Sequence, residues 1–497
     1  MFPSTHASSR PDAIATVELA SGRARTYEDL DARSNQIAHQ LRRCGLRRGD
    51  TALLVLDNRL ATPDAIWSAM RCGAFVAPAN TRLTALELGV LIGSTEPTVV
   101  ITVDRFAAAV GSATANAGSN SPIITLDTVT DRAVAESVDG LIELPAVLEE
   151  LPTAPLGDES PGARQLFSSG TTGTPKSFRR PLPDPDSPVN PFSLGRLGEL
   201  LGVEHPDVVY LSTGPIYHAA PFTFVLAVQS AGGTVVLTEK FDEAGCLEAI
   251  ERYRVTHSQW VPTMFVRMLR LADDERPELD LSSHRVAIHA GAPCAPGVKR
   301  QMIDWWGPIL HEYYGASEGY GQTYIGPQEW LAHPGSVGTP LSGTIEIRNE
   351  DGRILPPGEV GRVFFVRDAQ GRTVDDLGHL DDAGYLYLHG RDSNTIISGG
   401  VNVSPHEVED ALLADPRVAD ALVVGVPDDL LGQCVAAVIE LSDPQHSDSV
   451  EDVIAGCRTR LAGFKIPRLV HVVDRVPRLG TGKPDLCAAR RVCEESR

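Results

Sequence analysis

Residues 166–180 read LFSSGTTGTPKSFRR, a stretch of hydroxyl, glycine and proline residues that ends on cations. Glycines let backbone N–H groups converge on an anion, and hydroxyl side chains can donate hydrogen bonds to phosphate oxygens. Lys176 adds a mobile positive charge. The common nucleotide-binding spacing G-x-x-x-x-G-K-[ST] is absent. The stretch therefore predicts a phosphate-binding loop, with a flexible polar linker as the alternative on these residues alone.

Three later motifs favour the phosphate-binding interpretation. They are YYGASEGYG (313–321), DDLGHLDDAGYLYLHGRDSNTIISGG (375–400) and PRLGTGKPD (477–485). Together with the first stretch, and in the same order, they resemble the acyl-adenylate-forming superfamily over nearly the whole chain. That superfamily contains the acyl-CoA synthetases, the adenylation domains of peptide synthetases and firefly luciferase. The segment GPIYHAAPF (214–222) is most similar to the acyl- and aryl-CoA ligases.

The resemblance implies an ATP-dependent ligase. It would join a fatty or aryl carboxylic acid to AMP, release pyrophosphate, and then transfer the acyl group to coenzyme A. A carboxylate that attacks the α-phosphate is an anion approaching an anion, so Mg²⁺ and lysines must neutralise charge and hold the reactants in line. The implied catalytic residues are Lys176, His218, Glu318 and Lys483.

The resemblance also assigns the nucleotide site. The 168–176 loop would hold the β- and γ-phosphates, Glu318 with Thr171 would bind Mg²⁺, Tyr314 would stack on adenine and Asp376 would bind the ribose hydroxyls. Lys483 would reach the α-phosphate from a small mobile domain. The implied nucleotide contacts are Ser168, Ser169, Gly170, Thr171, Thr172, Gly173, Thr174, Lys176, Gly291, Ala292, Pro293, Tyr314, Gly315, Ala316, Ser317, Asp376, Arg391 and Lys483.

The acid would bind next to the nucleotide. His218 matches a position beside the carboxylate in acyl- and aryl-CoA ligases. The implied pocket residues are His218, Phe222, Ala290, Gly291, Gly315 and Tyr324. Amino-acid-activating relatives carry an aspartate in the stretch that corresponds to YHAAPFTFVLA, which contains no acid here. A free α-amino acid is therefore not expected, and the sequence does not identify the acid that is.

The surrounding elements predict an α/β fold. Helical spacing over 26–45 and β-branched strands over 51–58 and 98–103 indicate βα units on a largely parallel sheet, and the rhythm returns over 208–310. Short alternating strands follow residue 335. We expect a large N-terminal domain (1–391) of two α/β subdomains plus a small β region. A small mobile α+β domain (392–497) with the catalytic lysine would follow.

Bulk properties exclude several other classes. The net charge of −21 argues against nucleic-acid binding, which needs a basic face. The eight cysteines form no C-x-x-C pair, no apolar run approaches the length of a membrane span, and the first residues lack the apolar core of a signal peptide. A cytoplasmic enzyme is expected. Dimers are common in the superfamily, so a homodimer stays open.

Four positions depart from the superfamily pattern. Asp375 adds a charge beside Asp376, Ser177 follows Lys176, Ser393 occupies the hinge position, and Pro484 follows Lys483. Asp375, Ser393 and Pro484 keep other acceptors open, either a carrier-protein pantetheine or an amine. They also keep open the activation of nitrite for nitrogen–nitrogen bond formation. A nucleotide-binding regulator without turnover is a further alternative.

Overall fold

The computed structural model describes residues 2–168, 176–271, 279–292, 294–315, 319–367, 370–391, 395–442, 450–478 and 484–495. Within these residues the chain folds into four β-sheets with helices packed against them. The first part comprises α1 (Pro3–Ser9), β1 (Ile14–Glu18), β2 (Ala24–Thr26), α2 (Tyr27–Arg43), β3 (Thr51–Leu54), α3 (Ala61–Arg71), β4 (Phe75–Pro78), α4 (Ala85–Thr95), β5 (Val99–Thr102), α5 (Asp104–Asn116), β6 (Ile123–Thr125), α6 (Arg132–Ser137), β7 (Leu141–Glu143), α7 (Leu144–Val147), β8 (Ala163–Ser168) and β9 (Lys176–Arg179).

Helix α2 begins and ends where the sequence predicts. The Thr26 hydroxyl accepts a hydrogen bond from the Asp29 N–H (3.1 Å), and the Asp29 carboxylate accepts one from the Thr26 N–H (3.4 Å). This reciprocal capping box satisfies two N–H groups that a helix start otherwise leaves unpaired. Gly45 follows the helix with a φ of 92°, which favours glycine and stops the helix.

The second part of the chain repeats the alternation of strand and helix. It comprises α8 (Arg196–Leu201), β10 (Val209–Ser212), α9 (Ala219–Ser230), β11 (Thr234–Leu237), α10 (Glu243–Arg252), β12 (His257–Trp260), α11 (Pro262–Leu269), β13 (Val286–His289), α12 (Pro296–Trp306), β14 (Leu310–Gly315), β15 (Gln322–Ile325), α13 (Pro327–Ala332) and β16 (Thr339–Pro340). The predicted strands at VVYLST, GTVVLTE, HSQWVP and RVAIHAGA are all present, each shorter than the segment predicted for it.

Two large sheets form from these elements. One has the order β7-β6-β5-β3-β4-β8-β9, and its strands are parallel except for the β8–β9 pair. The other has the order β16-β15-β14-β13-β12-β10-β11-β1-β2. Strands β1 and β2 therefore come from the first half of the chain but belong to the sheet of the second half, where β1 pairs in parallel with β11. The sequence rhythm predicted two α/β subdomains but not this exchange.

A layer of helices joins the two sheets. The indole of Trp67 on α3 donates to the side-chain oxygen of Gln229 on α9 (2.8 Å). The hydroxyl of Tyr27 on α2 donates to the Gly233 carbonyl (2.7 Å). All three side chains are fully buried. Helix α9 thus lies in the core between the sheets.

Two smaller sheets complete the fold. The first contains β17 (Thr344–Arg348), β18 (Gly361–Arg367), β19 (Gln370–Leu380) and β20 (Leu386–Arg391) in that order. The C-terminal part comprises β21 (Ile396–Ser398), β22 (Val401–Val403), α14 (Pro405–Leu413), β23 (Val418–Asp428), β24 (Gly432–Leu441), α15 (Val450–Arg458), β25 (Leu469–Val473) and α16 (Leu486–Glu495). Its sheet has the order β22-β21-β24-β23, with β25 added parallel to β24. The predicted fold class is confirmed.

The C-terminal part contacts the large N-terminal part through a buried lysine. Lys465 forms ion pairs with Glu407 of α14 (2.6 Å) and with Glu87 of α4 (2.7 Å). The Thr84 hydroxyl donates to the Arg460 carbonyl (3.2 Å) at the same interface. Lys465 is 7% exposed. Among the residues given a structure here, no helix is both long enough and apolar enough to cross a membrane.

Candidate active site

The predicted adenine and ribose residues lie in direct contact. Tyr314 is near the end of β14, and its hydroxyl donates to Asp376 Oδ2 of β19 at 2.5 Å. The Tyr314 ring stacks on Phe365 of β18, with ring centroids 5.9 Å apart and planes at 27°. Asp376 is only 6% exposed. The sequence separates these two groups by 62 residues, and the small sheet brings them together at the edge of the large one.

A glycine permits this close approach of the two sheets. A Cβ atom on Gly321 would lie 2.1 Å from the Phe365 ring, which no side chain could tolerate. Asp376 lies opposite Arg391 in the β19–β20 ladder. The backbone of Asp376, the predicted ribose contact, is therefore adjacent to that of Arg391, which is predicted to lie near the ribose and the hinge. Because Tyr314 already donates to Asp376, a bound ribose would share or displace that hydrogen bond.

The turn after β13 lies at the same edge of the sheet. Strands β13 and β14 are parallel neighbours, so their carboxyl ends meet where ligands bind in open α/β sheets. Gly291 has a φ of 86° and is exposed, and Ala290 and Ala292 are half-buried. Gly315, at the end of β14, is also exposed. The turn therefore presents backbone next to Tyr314, as the predicted adenine contact requires.

The predicted phosphate loop starts and ends on paired strands. Ser168 of β8 lies opposite Lys176 of β9. The described residues include the backbone, but not the side chains, of Ser168, Lys176 and Arg391. The predicted residues that lie outside the described ranges are Ser169, Gly170, Thr171, Thr172, Gly173, Thr174, Pro293, Ala316, Ser317, Glu318, Ser393 and Lys483. Arg478 and Pro484 pair as an antiparallel bridge on either side of the segment that contains Lys483.

His218 stands at the N-cap position of α9. Protein atoms surround most of its ring. This burial, and to a smaller extent the positive charge of Arg82, lowers the pKa of His218 to about 4. The imidazole is therefore neutral near pH 7. It packs against Tyr217 with ring centroids 4.7 Å apart, and part of its surface stays accessible. A neutral, accessible imidazole can donate a hydrogen bond to a carboxylate, as the sequence prediction requires.

The predicted pocket residues do not all share one environment. Phe222 is fully buried in the core between the sheets. Tyr324 is half-buried, and its hydroxyl lies 2.7 Å from His311 Nδ1. Burial raises the pKa of Tyr324 to about 12 and lowers that of His311 to about 4, so both are neutral near pH 7. The role of Phe222 in lining the pocket stays a prediction.

Sequence reasoning missed two residues that face the same interior. Arg164 of β8 donates a hydrogen bond to the Thr223 hydroxyl of α9. The signal was available, because the alternation in ARQLFS places Arg164 on the same strand face as the buried Leu166. An arginine on a core-facing strand position requires a partner or a function.

The fold and the residues described above suit an enzyme that binds AMP or an adenylate. The chain matches the family model of AMP-binding enzymes over residues 4–370, and that of the AMP-binding enzyme C-terminal domain over residues 407–483. It therefore belongs to the AMP-binding enzyme family. The predicted class, an AMP-forming ligase of the acyl-CoA synthetase type, is confirmed.

Individual proteins that the chain resembles carry related activities. It is 29% identical over 490 residues to a feruloyl-CoA synthase of Amycolatopsis sp., covering 94% of each chain. It superimposes on a double variant of o-succinylbenzoate CoA synthetase from Bacillus subtilis, bound to a CoA product analogue, with a TM-score of 0.81, 25% identity and 98% of each chain covered. The amide bond synthetase of Marinactinospora thermotolerans shares the fold, with a TM-score of 0.80, 24% identity and 99% coverage of each chain.

A structure of the Bacillus subtilis enzyme with its acyl-adenylate intermediate is also similar to this chain. This complex gives a TM-score of only 0.63, at 26% identity and with 100% of this chain covered. Both comparisons span essentially the whole chain of the same enzyme. The lower score therefore reflects a different arrangement of its parts.

Proposed function

We propose that this chain activates a carboxylic acid as acyl-AMP and transfers the acyl group to coenzyme A. The contact between Tyr314 and Asp376, beside the exposed Gly291 turn, carries the proposal. An aromatic face and a carboxylate at the carboxyl ends of parallel strands suit adenine and the two ribose hydroxyls. The pair thus supports a nucleoside site in a chain whose family binds AMP.

The first half-reaction joins two anions. A carboxylate oxygen attacks the α-phosphorus of ATP, the bond to the β-phosphate oxygen breaks, and pyrophosphate leaves with the bonding electrons. Lys176 and Lys483 would offset this charge, and Glu318 with Thr171 would hold Mg²⁺. Neutral His218 would orient the acid by donating one hydrogen bond. The chain needs no general base for this step, because the acid is already ionised near pH 7.

The second half-reaction needs a thiol. The sulfur of coenzyme A attacks the acyl carbon, its proton is lost, and AMP leaves. The relatives named as CoA ligases support this acceptor. The arrangement seen here is more similar to the CoA product-analogue complex of the Bacillus subtilis enzyme than to its acyl-adenylate complex, which fits the second half-reaction. A domain boundary after Arg391 fits this change, since β20 ends there and β21 pairs within the C-terminal sheet.

The acid is proposed as an aryl or fatty acid. The feruloyl-CoA synthase supports the first class, and a long-chain-fatty-acid–CoA ligase of Mycobacterium tuberculosis, 28% identical over 492 residues, supports the second. The half-buried Ala219 and Ala220 of α9 leave room next to His218 for a ring or a chain. No described residue on the first turn of α9 could hold a substrate ammonium, since that turn lacks a carboxylate.

A panel of substrates tests the proposal. ATP-dependent pyrophosphate release is measured with aryl acids, fatty acids, amino acids and nitrite, and products formed with coenzyme A are identified by mass. We expect release with an aryl or fatty acid and a thioester after coenzyme A is added. Release with nitrite alone would refute the activated group. Adenylate that reacts only with an amine or a carrier-protein pantetheine would refute the acceptor.

A further inference from the structure

Arg164 carries a charge that has no counter-charge among the described residues. Its one side-chain hydrogen bond goes to the Thr223 hydroxyl, and no carboxylate of the described ranges pairs with it. None of its nitrogens belongs to the buried atoms that lack a partner, so the remaining N–H groups open onto accessible space. A guanidinium has five N–H donors, so most of its hydrogen-bonding capacity is available to a ligand.

Two other arginines that pack into the interior of this fold are paired with carboxylates. Arg71 is fully buried and bonds to Asp31 and to Glu159 (2.7 Å). Arg25 pairs with Asp64 at 2.9 Å. An unpaired charge removed from water is costly, which explains why such pairs form. Arg164 departs from this pattern, and a ligand that brings its own negative charge would supply the missing ion pair.

A second cation next to Arg164 increases the local positive charge. The Arg180 N–H donates to the Arg164 carbonyl (3.4 Å), one position beyond the Gln165–Arg179 pair of the β8–β9 ladder. Residues directly opposite in an antiparallel pair share a face, and like charges there are destabilising. Burial, and then the charge of Arg180, lowers the pKa of Arg164 to about 10, so it stays charged near pH 7. Arg180 is exposed.

The position of Arg164 relates it to the acid rather than to ATP. Thr223 lies one turn after Ala219 on α9, and its hydroxyl donates to the Ala219 carbonyl (2.6 Å), so the two residues share one face of the helix that His218 caps. Arg164 and Thr223 are half-buried, as is the nearby Tyr313, which interacts electrostatically with Arg164. They therefore border accessible space beside the helix that begins at His218. The phosphate loop begins at the opposite end of β8 from Arg164.

We propose that Arg164, held by Thr223, binds a second carboxylate of the acid, so that the substrate is a dicarboxylic acid. The inference rests on the proposed function, which puts the reacting carboxylate beside His218. The far carboxylate would then lie more than one helical turn (about 5.4 Å) beyond the reacting one along α9, which suits a short chain or a single ring with a short arm. A guanidinium binds a carboxylate through two parallel N–H···O bonds, which gives both affinity and orientation.

Matched acids test this inference. Pyrophosphate release is measured with pimelate against heptanoate, and with 4-carboxycinnamate against cinnamate. A charge-assisted hydrogen bond predicts that kcat/KM for the diacid exceeds that for the monoacid by about 10- to 100-fold. In Arg164→Met the ratio of kcat/KM for the diacid to kcat/KM for the monoacid should fall to about one. Arg164→Lys should keep part of this preference for the diacid, because the charge stays and the forked geometry is lost.

Arg179→Met is the matched control. Arg179 lies on the same hairpin but bonds to Gln165 and Thr51 on the opposite face, so its loss should leave the preference unchanged. Should Arg164→Met fail to fold by circular dichroism, Arg164→Lys and Thr223→Val decide. Equal activation of both members of each pair, unaltered by substitution of Arg164, would overturn this inference alone. Pyrophosphate release with no acid at all would overturn the proposed function as well.

Discussion

Substitution of Glu87 by Gln should impair the second half-reaction and spare the first. Glu87 Oε1 accepts from Lys465 across the interface with the C-terminal part, whereas Oε2 accepts from Thr84 in the capping box of α4. Glutamine at this position still completes a capping box, so α4 should keep its start. The variant thus removes a charge from the interface and leaves each part folded.

The structure sets the size of the effect. Lys465 keeps Glu407, so only its ion pair with Glu87 across the interface is lost. A hydrogen bond to a charged group contributes about 1.5–3 kcal/mol. Since 1.4 kcal/mol is a tenfold change in an equilibrium constant, the population of this arrangement should fall about 10- to 100-fold. Thioester formation from preformed acyl-adenylate should slow by up to that factor.

Rapid mixing with coenzyme A measures thioester formation, and pyrophosphate exchange measures the first step. Glu329→Gln is the control, because Glu329 fills the same capping position in α13 and contacts only the N-terminal part among described residues. Small-angle scattering should show a shift in the distance distribution of Glu87→Gln but not of the control. Slower pyrophosphate exchange with unchanged thioester formation would refute the reasoning.

Three further predictions concern single groups. Asp376→Asn should raise the KM for ATP about tenfold with little change in kcat, because a charged acceptor for the ribose is lost. Pyrophosphate release at varied ATP concentration measures this KM. An unchanged KM would contradict the assignment of Asp376 to the ribose. His218→Gln should lower kcat/KM for the acid about tenfold and leave the KM for ATP unchanged. Because the pKa of His218 is about 4, titration of this group should not change wild-type kcat/KM between about pH 6 and 8. A change in kcat/KM centred near about pH 6.5 that is absent from His218→Gln would contradict this prediction. Burial lowers the pKa of His257 and His311 to about 4 and of His284 to about 3. As the pH falls from about 6.5 toward 4, the unfolded chain therefore gains protons that the folded chain does not, and each histidine should remove up to about 1.4 kcal/mol of stability per pH unit. Urea denaturation across that range measures the loss, and a flat stability would contradict it.

Local signals in the sequence predicted the elements better than their partners. The Thr26 cap and Gly45 stop of α2 depend on a few adjacent residues, so the predicted helix is confirmed. The pairing of β1 with β11 connects residues over 200 positions apart, and no local pattern carries it. The segments predicted as strands were also longer than the strands themselves, because residues that follow a strand, such as Thr213 after β10, are buried as well.

In the candidate site, too, the sequence predicted individual residues better than the contacts between them. Motif order identified Tyr314 and Asp376, although nothing in their spacing shows that one bonds to the other. Arg164 could have been found from the alternation of its strand, since a charge on the face of Leu166 is unusual. Lys465 could not, because its partner Glu87 lies 378 residues away and on another part of the fold.

The central claim is that two lysines let an acid carboxylate reach the α-phosphorus of ATP. The most direct measurement is acid-dependent pyrophosphate release by the wild type and by Lys483→Ala, with circular dichroism to verify folding. We predict that the variant folds normally and forms adenylate about 10²- to 10³-fold more slowly, as expected on loss of one preorganised donor. Near-normal release by Lys483→Ala would contradict the account, as would a wild type that releases pyrophosphate with no carboxylic acid.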